Sequence, residues 1–348
     1  MAIRRRLSVP TFLAALVCVT GSPAVCRGGE LEDADFSLRL PAALTRFASY
    51  GDVAGAGGAS AASKWASSIN PASVAWLQIP SRLHMSLSPQ YSAICFDDGP
   101  TMHVTTQSLT WDAKEWGTFQ PTLTQVRSSS RTDRQGLDFG LDMDFAQMQW
   151  GKRLSPDFAI GGAFNVATSR TESSFGPFDI GRSRSESYDF RAGALGRVHE
   201  KLLAGVVVDY GFSPGRTTIF DFTGSGAGDL HEHDTTHQFL LRPGLSYEYA
   251  KDSLAYFDYQ FGSFMNDQGD LEVNRFYLGV DHRIFEWLFV RAVFALDTSG
   301  NPAGTAGIGI YPTKWFTIDF AYQYNMFPEL EPEFGPSQTF ALSLGITF

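Results

Sequence analysis

The chain has 348 residues, a formal net charge of −10 and a sequence pI near 5.2. Phenylalanine (29 residues) and glycine (34 residues) are frequent, while charged residues make up only 18% of the chain, which excludes a disordered polyelectrolyte. The acidic balance and the absence of a basic stripe from the body of the chain argue against a nucleic-acid partner.

Residues 1–26 have the features of a secretory signal peptide. "MAIRRR" supplies a basic start, "FLAALVCV" a short apolar run, and "SPAVC" small residues for cleavage, which we place near Ala24 or Cys26. The apolar run is too short to span a bilayer, and no later stretch is long enough for a transmembrane helix. Only Cys95 remains in the mature chain, so no internal disulfide is expected.

Residues 27–80 lack any alternation of polar and apolar residues. The stretch "YGDVAGAGGASAASKWASSINPASVAWLQIP" is rich in small residues, which allow close backbone packing. Ser68 or Asn70 is suited to opening a helical turn with Pro71 near its first position. We interpret 27–80 as a small helical plug (hatch) inside a barrel; the alternative is a flexible periplasmic arm.

From residue 81 onward the hydrophobic pattern has a period of two, which predicts β-strands. In "FTIDFAYQY" (316–324), for example, aromatic and aliphatic residues alternate with small or polar ones. The pattern predicts an all-β fold, a transmembrane antiparallel β-barrel over 81–348 with about 14 strands. The segments are 81–95, 101–111, 116–127, 135–150, 157–168, 187–198, 201–212, 235–249, 252–264, 270–283, 286–297, 301–311, 314–327 and 337–348.

The predicted connections alternate between short turns and longer polar loops, as in bacterial outer-membrane barrels. The longer loops fall at 128–134, 169–186, 213–234 and 328–336. An even strand number places both chain ends on the short-turn side, the periplasm. Every tryptophan of the predicted barrel lies next to a short turn, as expected for an aromatic girdle at a membrane interface: Trp111, Trp116, Trp150, Trp287 and Trp315.

The last predicted strand, "TFALSLGITF", ends on Phe348 and carries an apolar file that we expect to face lipid. A closed barrel has no free edge, so every backbone group of such a strand is paired even without water. A final strand that ends in phenylalanine also resembles the recognition signal read by the outer-membrane assembly machinery. That resemblance implies assembly machinery and outer-membrane lipid as partners.

If the apolar files face lipid, the alternate residues line the lumen and include many charges. Charged side chains are costly in lipid but acceptable in a wet or hydrogen-bonded interior. We interpret them as ion-pair ladders that stiffen the wall and hold a plug; the alternative is a charge-selective ring. They are Asp138, Asp142, Asp144, Asp189, Arg191, Arg197, Asp209, Arg242, Glu248, Asp258, Arg275, Asp281, Arg291 and Asp319.

Pro121 and Pro243 interrupt predicted strands, and either marks a bulge or a kink that opens the wall. His231 and His233 in "HEHD" resemble metal ligands, but without two further ligands at fixed spacing we predict no metal site. No nucleophile elbow, phosphate loop or cysteine-pair motif is present. We therefore predict neither an enzyme nor a cofactor.

The stretch "GAGGASAASKWASSINPASVAWL" (55–77) resembles the N-terminal signature of FadL-type outer-membrane transporters for long-chain fatty acids and other hydrophobic compounds. That signature is a Gly-rich "GxGGAxxA" followed by Asn-Pro-Ala about a dozen residues later. Ser73 replaces the glycine usual after the triplet, and Ser63 and Lys64 stand where acidic residues are common. The matching residues are Gly55, Gly57, Gly58, Ala59, Ala62, Asn70, Pro71 and Ala72.

The resemblance implies a fourteen-stranded barrel with an N-terminal hatch, and passage of a hydrophobic small molecule that leaves sideways through a kinked third strand. Pro121 lies in the third predicted segment. The chain is shorter than typical transporters of this family, so the loops that gather ligand are reduced. Two alternatives stay open: a non-conducting barrel that acts in secretion or binding, and a general porin.

Overall fold

The structure, a computed structural model, describes residues 51–56, 60–65, 67–77, 79, 83–129, 137–175, 178–220, 230–266 and 269–348. The predicted signal peptide, residues 27–50 of the predicted plug, and Gly57 and Gly58 of the glycine motif lie outside the described residues.

Fourteen strands form a closed barrel in which each strand pairs with its neighbour in sequence and β1 pairs with β14. The pairing is antiparallel throughout, so the predicted fold class and strand number are confirmed. The strands are β1 Met85–Phe96, β2 Thr101–Asp112, β3 Thr118–Ser129, β4 Leu137–Ser155, β5 Phe158–Phe175, β6 Phe178–His199, β7 Leu202–Ile219, β8 Leu230–Ala250, β9 Ser253–Asn266, β10 Gly269–Phe285, β11 Leu288–Asp297, β12 Pro302–Thr313, β13 Phe316–Tyr324 and β14 Ser337–Thr347.

The strands differ in length because two of the predicted long loops are extensions of hairpins. Residues 169–186 belong mostly to β5 and β6, which stay paired through Ser169–Ser185 and Arg170–Arg184. Residues 213–234 are likewise shared between β7 and β8 around the segment 220–229. In the first extension Arg170 and Arg182 flank Glu172, and the hydrogen bond from Arg170 is the main cause of its lowered pKa.

All five predicted girdle tryptophans lie at the short-turn rim, within or beside the turns. Trp116 belongs to a 3₁₀ turn, Lys114–Trp116, and its carbonyl accepts a hydrogen bond from the Trp150 indole at 2.8 Å. Trp111, Trp287 and Trp315 are about half exposed or more. Above them the outer wall is largely apolar, as on Phe257, Phe276, Leu278, Phe320 and Leu342. This belt between an aromatic rim and polar strand extensions is typical of transmembrane barrels.

Short helices accompany the barrel. Helix α1 spans Gly51–Gly55 and a 3₁₀ helix spans Pro71–Trp76, both in the N-terminal segment. Between β13 and β14 the chain forms a 3₁₀ turn, Pro328–Leu330, and helix α2, Glu331–Phe334. None of the helices among the described residues has the length and hydropathy needed to cross a membrane.

Candidate functional site

The N-terminal segment is fastened to inward-facing side chains of strands on different sides of the barrel. The Gln323 amide on β13 donates to the Ala54 carbonyl at 3.0 Å, and the Thr305 hydroxyl on β12 donates to the Gly55 carbonyl at 3.0 Å. On β9 the Tyr256 hydroxyl donates to the Ala56 carbonyl at 2.7 Å. Backbone carbonyls that have no helical partner are thereby satisfied by the wall.

The Asn70-Pro71-Ala72 triplet opens the 3₁₀ helix. The Asn70 side-chain oxygen accepts from the Ala72 backbone N–H at 3.0 Å, and Pro71 occupies the first helical position, where its missing N–H is harmless. The Asn70 amide also donates to the carbonyls of Ala61 at 2.6 Å and Ala194 on β6 at 3.0 Å. One side chain therefore joins the helix start, the preceding segment and the wall.

Glycines of the wall leave room for this triplet. A Cβ atom added to Gly161 on β5 would overlap the Pro71 backbone, and one added to Gly193 on β6 would overlap the Asn70 side chain. Of the predicted glycine motif, Gly55 lies against Gly307 on β12, where an added Cβ would stand 2.8 Å from the Gly307 Cα. Absence of side chains at these places is what allows the two backbones to touch.

A buried ion pair holds the middle of the N-terminal segment. Arg242 on β8 donates to Asp258 on β9 at 2.9 Å, and both side chains are at most 5% exposed. The Asp258 carboxylate also accepts from the Ser60 hydroxyl and the Ala61 backbone N–H, each at 2.6 Å. Three donors surround one carboxylate, as a buried charge requires.

A second buried cluster lies on β5 to β8. Arg191 donates to Asp209 at 2.8 Å and to the Ser68 carbonyl at 2.8 Å, so it too joins the wall to the N-terminal segment. Asp189 accepts from the amides of Asn165 and, at 2.9 Å, Gln238. The structure therefore places Asp189 and Arg191 on the inner side of the barrel.

A third cluster lies on β10 to β13. Arg291 donates to Asp319 at 2.7 Å and to the Tyr311 hydroxyl at 2.5 Å, and it stands 4.0 Å from Asp281. The three charged side chains are at most 8% exposed. In these three clusters the inward charges thus form ion pairs with residues on neighbouring or nearby strands.

The prediction that Asp138, Asp142 and Asp144 line the lumen is wrong. Their neighbours Leu141 and Met143 are the buried residues of this part of β4, and the Asp142 and Asp144 side chains are 65% and 57% exposed. Asp144 pairs outside with Arg127 on β3 at 2.6 Å, and Asp138 shares their face by alternation. The apolar file of upper β4 faces inward because the interior there is apolar.

The loop-side interior of β1 to β4 is packed with buried apolar side chains, a region that we call the apolar chamber and that the sequence did not predict. The segment 325–336 between β13 and β14 folds over it, and Phe334 packs against Phe96 and Phe139 with ring centroids 5.5 and 5.3 Å apart. The wall residues of this chamber are buried and belong to one continuous cluster with the segment: Ile94, Phe96, Met102, Val104, Val126, Leu141 and Met143.

Pro121 faces outward on β3 and interrupts the pairing with β2. The pairs Leu109–Pro121 and Thr110–Gln120 are missing, while the register on either side is unchanged. On the inner side the Gln120 amide bridges this gap by donating to the Thr110 hydroxyl at 2.9 Å. The β8–β9 ladder is interrupted in the same way at Pro243, and the β1–β14 ladder at Pro89.

An inner cavity of about 180 Å³ borders the interruptions at Pro121 and Pro89. Hydroxyl and amide side chains make up much of its lining, and Val53, Trp65 and Leu77 of the N-terminal segment contribute to it. The wall side chains that line it include Ser86, Ser88, Ser108, Thr110, Gln120, Asp319 and Ser343. At Pro243, by contrast, the inner side is filled by Arg242 and Asp258.

The two histidines of "HEHD" and the C-terminal Phe348 both lie at strands of the barrel. His231 and His233 lie on β8 rather than in a loop, and His231 contacts the Thr218 hydroxyl at 3.1 Å. The described residues hold no cluster of three or more side chains suited to a metal ion. Phe348 follows β14, and its backbone N–H donates to the Met85 carbonyl at 2.9 Å, at the seam that closes the barrel.

Arg275 on β10 differs from the other inward arginines. It is fully buried, and its Nη1 donates to the Met326 carbonyl at 3.1 Å, which ties it to the segment 325–336. Among the described residues it forms no ion pair with an acid within 4.0 Å, whereas Arg191, Arg242 and Arg291 each have one.

The fold is similar to that of solved outer-membrane channels. The toluene transporter TbuX of Ralstonia pickettii matches with a TM-score of 0.61 and 11% identity over 90% of this chain and 100% of that chain. The CymD monoaromatic hydrocarbon channel matches with a TM-score of 0.59 and 13% identity over 85% and 96%. A Pseudomonas aeruginosa FadL homologue gives 0.55 and 12% over 80% and 93%.

No protein-family model and no curated protein matches the chain. At these identities the likeness to the solved structures is one of fold. The FadL-type resemblance predicted from residues 55–77 is confirmed at that level, since the barrels of solved FadL-type transporters superpose on this one over most of its length.

Proposed function

We propose that the chain is a channel of the bacterial outer membrane that passes long-chain fatty acids or other hydrophobic solutes, with both termini in the periplasm. The observation that carries this proposal is the apolar chamber on the inner side of β1 to β4. Water-filled barrels have polar interiors, whereas an apolar interior offers a favourable environment to an apolar solute. The shared fold with two monoaromatic hydrocarbon transporters supports the same class of solute.

In this proposal the solute enters from the loop side and reaches the chamber when the segment 325–336 moves. The N-terminal segment acts as a hatch below it, held by Asn70, Asp258 and Arg191. The exit leads sideways through the wall at Pro121, where the β2–β3 ladder is already interrupted next to the inner cavity. Along such a route an apolar solute would pass into lipid directly and would not have to move past the buried ion clusters of the lumen.

Pro121→Thr tests this exit, because threonine restores a backbone N–H that can pair with β2. We expect several-fold slower uptake of an apolar solute into liposomes that contain the variant. Pro243→Thr is the matched control, since the same change there lies over the filled Arg242–Asp258 cluster and is expected to leave uptake unchanged. Equal uptake by Pro121→Thr and the parent protein would remove Pro121 from the mechanism.

The β1–β14 seam at Pro89 provides the competing exit. If Pro89→Thr rather than Pro121→Thr slows uptake, the solute leaves at the seam.

Two other functions predict different results in the same preparation. A general porin would show a persistent open pore in planar bilayers with the full chain, whereas a plugged channel would conduct only after residues 27–78 are deleted. A secretion-accessory or binding barrel would leave solute uptake unchanged on deletion of the protein and would co-purify with a partner. Uptake that depends on the protein, together with a low conductance, supports the channel for hydrophobic solutes.

A further inference from the structure

Three arginines stand side by side on the outer surface of the extended hairpins. Arg170 on β5 lies opposite Arg184 on β6, and Arg184 lies opposite Arg216 on β7, with His233 next in line on β8. All four side chains are exposed. We call Arg170, Arg184 and Arg216 the arginine row. Like charges directly opposite each other on paired strands destabilise a sheet, so such a row requires a compensating partner.

The arginine row faces away from the lumen, on the same side of the wall as the apolar belt. On β6, Arg184 has the same alternation as Phe190, which is 53% exposed, whereas Asp189 is buried. On β7, Arg216 likewise has the alternation of Tyr210, which is 46% exposed. The row therefore continues the lipid-facing surface of the barrel beyond the belt.

The charge around the arginine row is positive on a chain that is acidic overall. On β5 to β8, the outward positions of this row and of the rows directly above and below it hold four arginines and two acids, Glu172 and Glu186. Glu186 accepts from the Tyr188 hydroxyl at 2.8 Å. The excess of positive charge contrasts with the net charge of −10 for the whole chain, and a surface of this sign attracts an anion.

The other acids near the arginine row lie at its β5 end. Glu172 bonds to Arg170, and Asp142, opposite Arg170 on β4, stands 3.8 Å from Arg127. The positive excess is therefore centred on the β6 and β7 members of the row.

The arginine row stands at the height of a lipid headgroup layer. On β6 the outward apolar belt runs from Val198 to Tyr188, which spans about 25 Å along the membrane normal for a strand tilted by about 40°. Arg184 lies further along the same strand, about 10 Å beyond the end of the belt. A headgroup layer is about 5–8 Å thick, and an arginine side chain can extend towards it with its stem along the wall.

A groove beside the arginine row leaves room for a headgroup. It has a volume of about 510 Å³ and lies where β8 extends beyond β9, since the pairing of these strands begins at His237 and Met265. His233 and Thr235 offer hydrogen-bonding groups to the groove, and Met265 offers apolar surface. Asp234, which also borders the groove, belongs to the opposite face of β8 by alternation.

We propose that the arginine row binds the phosphate group of a lipid headgroup in the outer leaflet. Guanidinium groups bind phosphate oxygens through paired N–H donors, and a phosphate between Arg184 and Arg216 removes the repulsion between them. The acyl chains of the same lipid lie along the belt, a contact that free phosphate lacks. This inference depends on the proposed orientation in the outer membrane but not on any transported solute.

The test measures, by native mass spectrometry of the full chain released from detergent micelles, the binding of two lipids with the same acyl chains. Dioleoyl phosphatidic acid carries an anionic phosphate, whereas the phosphate of dioleoyl phosphatidylcholine is neutralised by its choline. The parent protein is expected to bind phosphatidic acid about tenfold more tightly, because each arginine near a membrane surface adds several-fold to the affinity for an anionic lipid. The double variant Arg184→Gln, Arg216→Gln is expected to lose this preference.

The double variant Lys201→Gln, Lys314→Gln is the matched control, because it removes the same charge from exposed positions in the short turns. It is expected to keep the preference, and an equal loss in both double variants would overturn the site. Displacement of phosphatidic acid by an equal concentration of inorganic phosphate would overturn the lipid as the occupant. If the arginine double variant fails to assemble, Arg216→Gln alone must lower the preference several-fold, and an unchanged preference overturns the inference.

The outcomes also distinguish this inference from the proposed function. Uptake of an apolar solute by the arginine double variant is expected to equal that of the parent, since the arginine row lies outside the lumen. A parent protein that binds both lipids equally, or an arginine double variant that keeps the preference, overturns the lipid site and leaves the channel standing. A parent protein with the lipid preference but without uptake overturns the channel and leaves the lipid site standing.

Discussion

Asp258 on β9 holds the N-terminal segment to the barrel wall through a single carboxylate. Its carboxylate receives Arg242, the Ser60 hydroxyl and the Ala61 N–H, all in a buried environment. A carboxylate in this position stabilises the barrel and the N-terminal segment together, because removing its charge leaves the buried Arg242 without the Asp258 carboxylate.

Replacing Asp258 with asparagine is therefore expected to destabilise the folded protein by about 3–5 kcal/mol, the usual cost of breaking a buried ion pair. The variant is also expected to raise ion conductance in planar bilayers, because asparagine has one acceptor oxygen where aspartate has two, so that at least one of the bonds from Ser60 and Ala61 is lost. Urea or thermal unfolding in detergent measures the first effect and bilayer recording the second.

Asp144→Asn is the matched control, since Asp144 pairs with Arg127 on the exposed outer side of the barrel. Its cost is expected to be below about 1 kcal/mol, as for other exposed ion pairs. If both variants lose a similar free energy of unfolding, the burial of Asp258 is not what makes its ion pair important.

Gly161 and Gly162 are adjacent on β5 and face opposite sides of the wall. An added methyl group at Gly161 overlaps the Pro71 backbone, whereas one at Gly162 meets nothing closer than the Arg191 carbonyl at 3.7 Å. Gly161→Ala is expected to cost about 1–3 kcal/mol through overpacking and to loosen the 3₁₀ helix, and Gly162→Ala is expected to be nearly neutral. Limited proteolysis within 60–79 would detect the loosening, and equal resistance of the two variants would contradict it.

At the scale of elements, the segment 325–336 is a lid built from aromatic side chains over the apolar chamber. It is tied to the wall by the Arg275–Met326 bond and by the backbone N–H groups of Asp98 and Asp97, which donate to the Phe334 and Pro336 carbonyls at 2.9 and 3.2 Å. The Phe334 ring also makes tilted contacts with the rings of Phe96 and Phe139. The segment contacts the chamber through apolar side chains and lies outside the paired strands of the barrel, so we expect it to open without unfolding the barrel.

Phe334→Ala is expected to weaken this lid, because it removes a ring that contacts two others in a buried site. The barrel should keep its resistance to protease while cleavage within 325–336 becomes faster, and uptake of an apolar solute should rise. Phe340→Ala, an outward change on β14, serves as the control. An unchanged cleavage pattern in Phe334→Ala would show that the ring does not hold the lid.

The strands show what a period of two can and cannot predict. It located all fourteen strands, because each crosses an environment that differs between its two faces. The period of two did not predict which set of alternate residues of β4 faces inward. From Leu137 to Phe145 the apolar residues are at odd positions, whereas Ala146, Met148 and Trp150 are apolar at even positions. The strand keeps its alternation through this change, so the inner surface passes from apolar to polar and the outer surface from charged to apolar.

The hairpin extension at 169–186 was predicted as a loop for a related reason. Its alternating Ser, Thr, Arg and Glu residues form a ladder whose two faces are both wet, so neither face carries an apolar file. The contacts of the candidate site were the least predictable part. The chamber depends on the segment 325–336 folding back over β1 to β4. Among the described residues Arg275 has no acid partner, since Asp297, its neighbour on β11, binds Asn301 instead.

At the scale of the whole molecule, the inner surface is divided between two kinds of chemistry. The buried ion clusters lie on the inner sides of β5 to β13. The apolar chamber lies against β1 to β4, and its cluster continues onto Tyr256, Tyr277 and Val293. The small cavity is lined by β1 to β3, β13, β14 and the N-terminal segment. A solute that has both an apolar part and a polar group can therefore contact the apolar wall with one and a charged side chain with the other. Both regions belong to one closed sheet.

The orientation of this barrel in the membrane is the remaining element of the proposal, and the hairpins make it measurable. Replacing both Cys26 and Cys95 with serine removes every cysteine after the predicted cleavage near Ala24 or Cys26. A single cysteine can then be placed at Asp179 in the β5–β6 extension or at Lys201 in the short β6–β7 turn, both exposed. In intact cells a membrane-impermeant maleimide is expected to label Asp179→Cys and not Lys201→Cys, because the extended hairpins project outward and the short turns face the periplasm. Permeabilised outer membranes should label both, and labelling of Lys201→Cys alone in intact cells would reverse the orientation and, with it, the direction of transport.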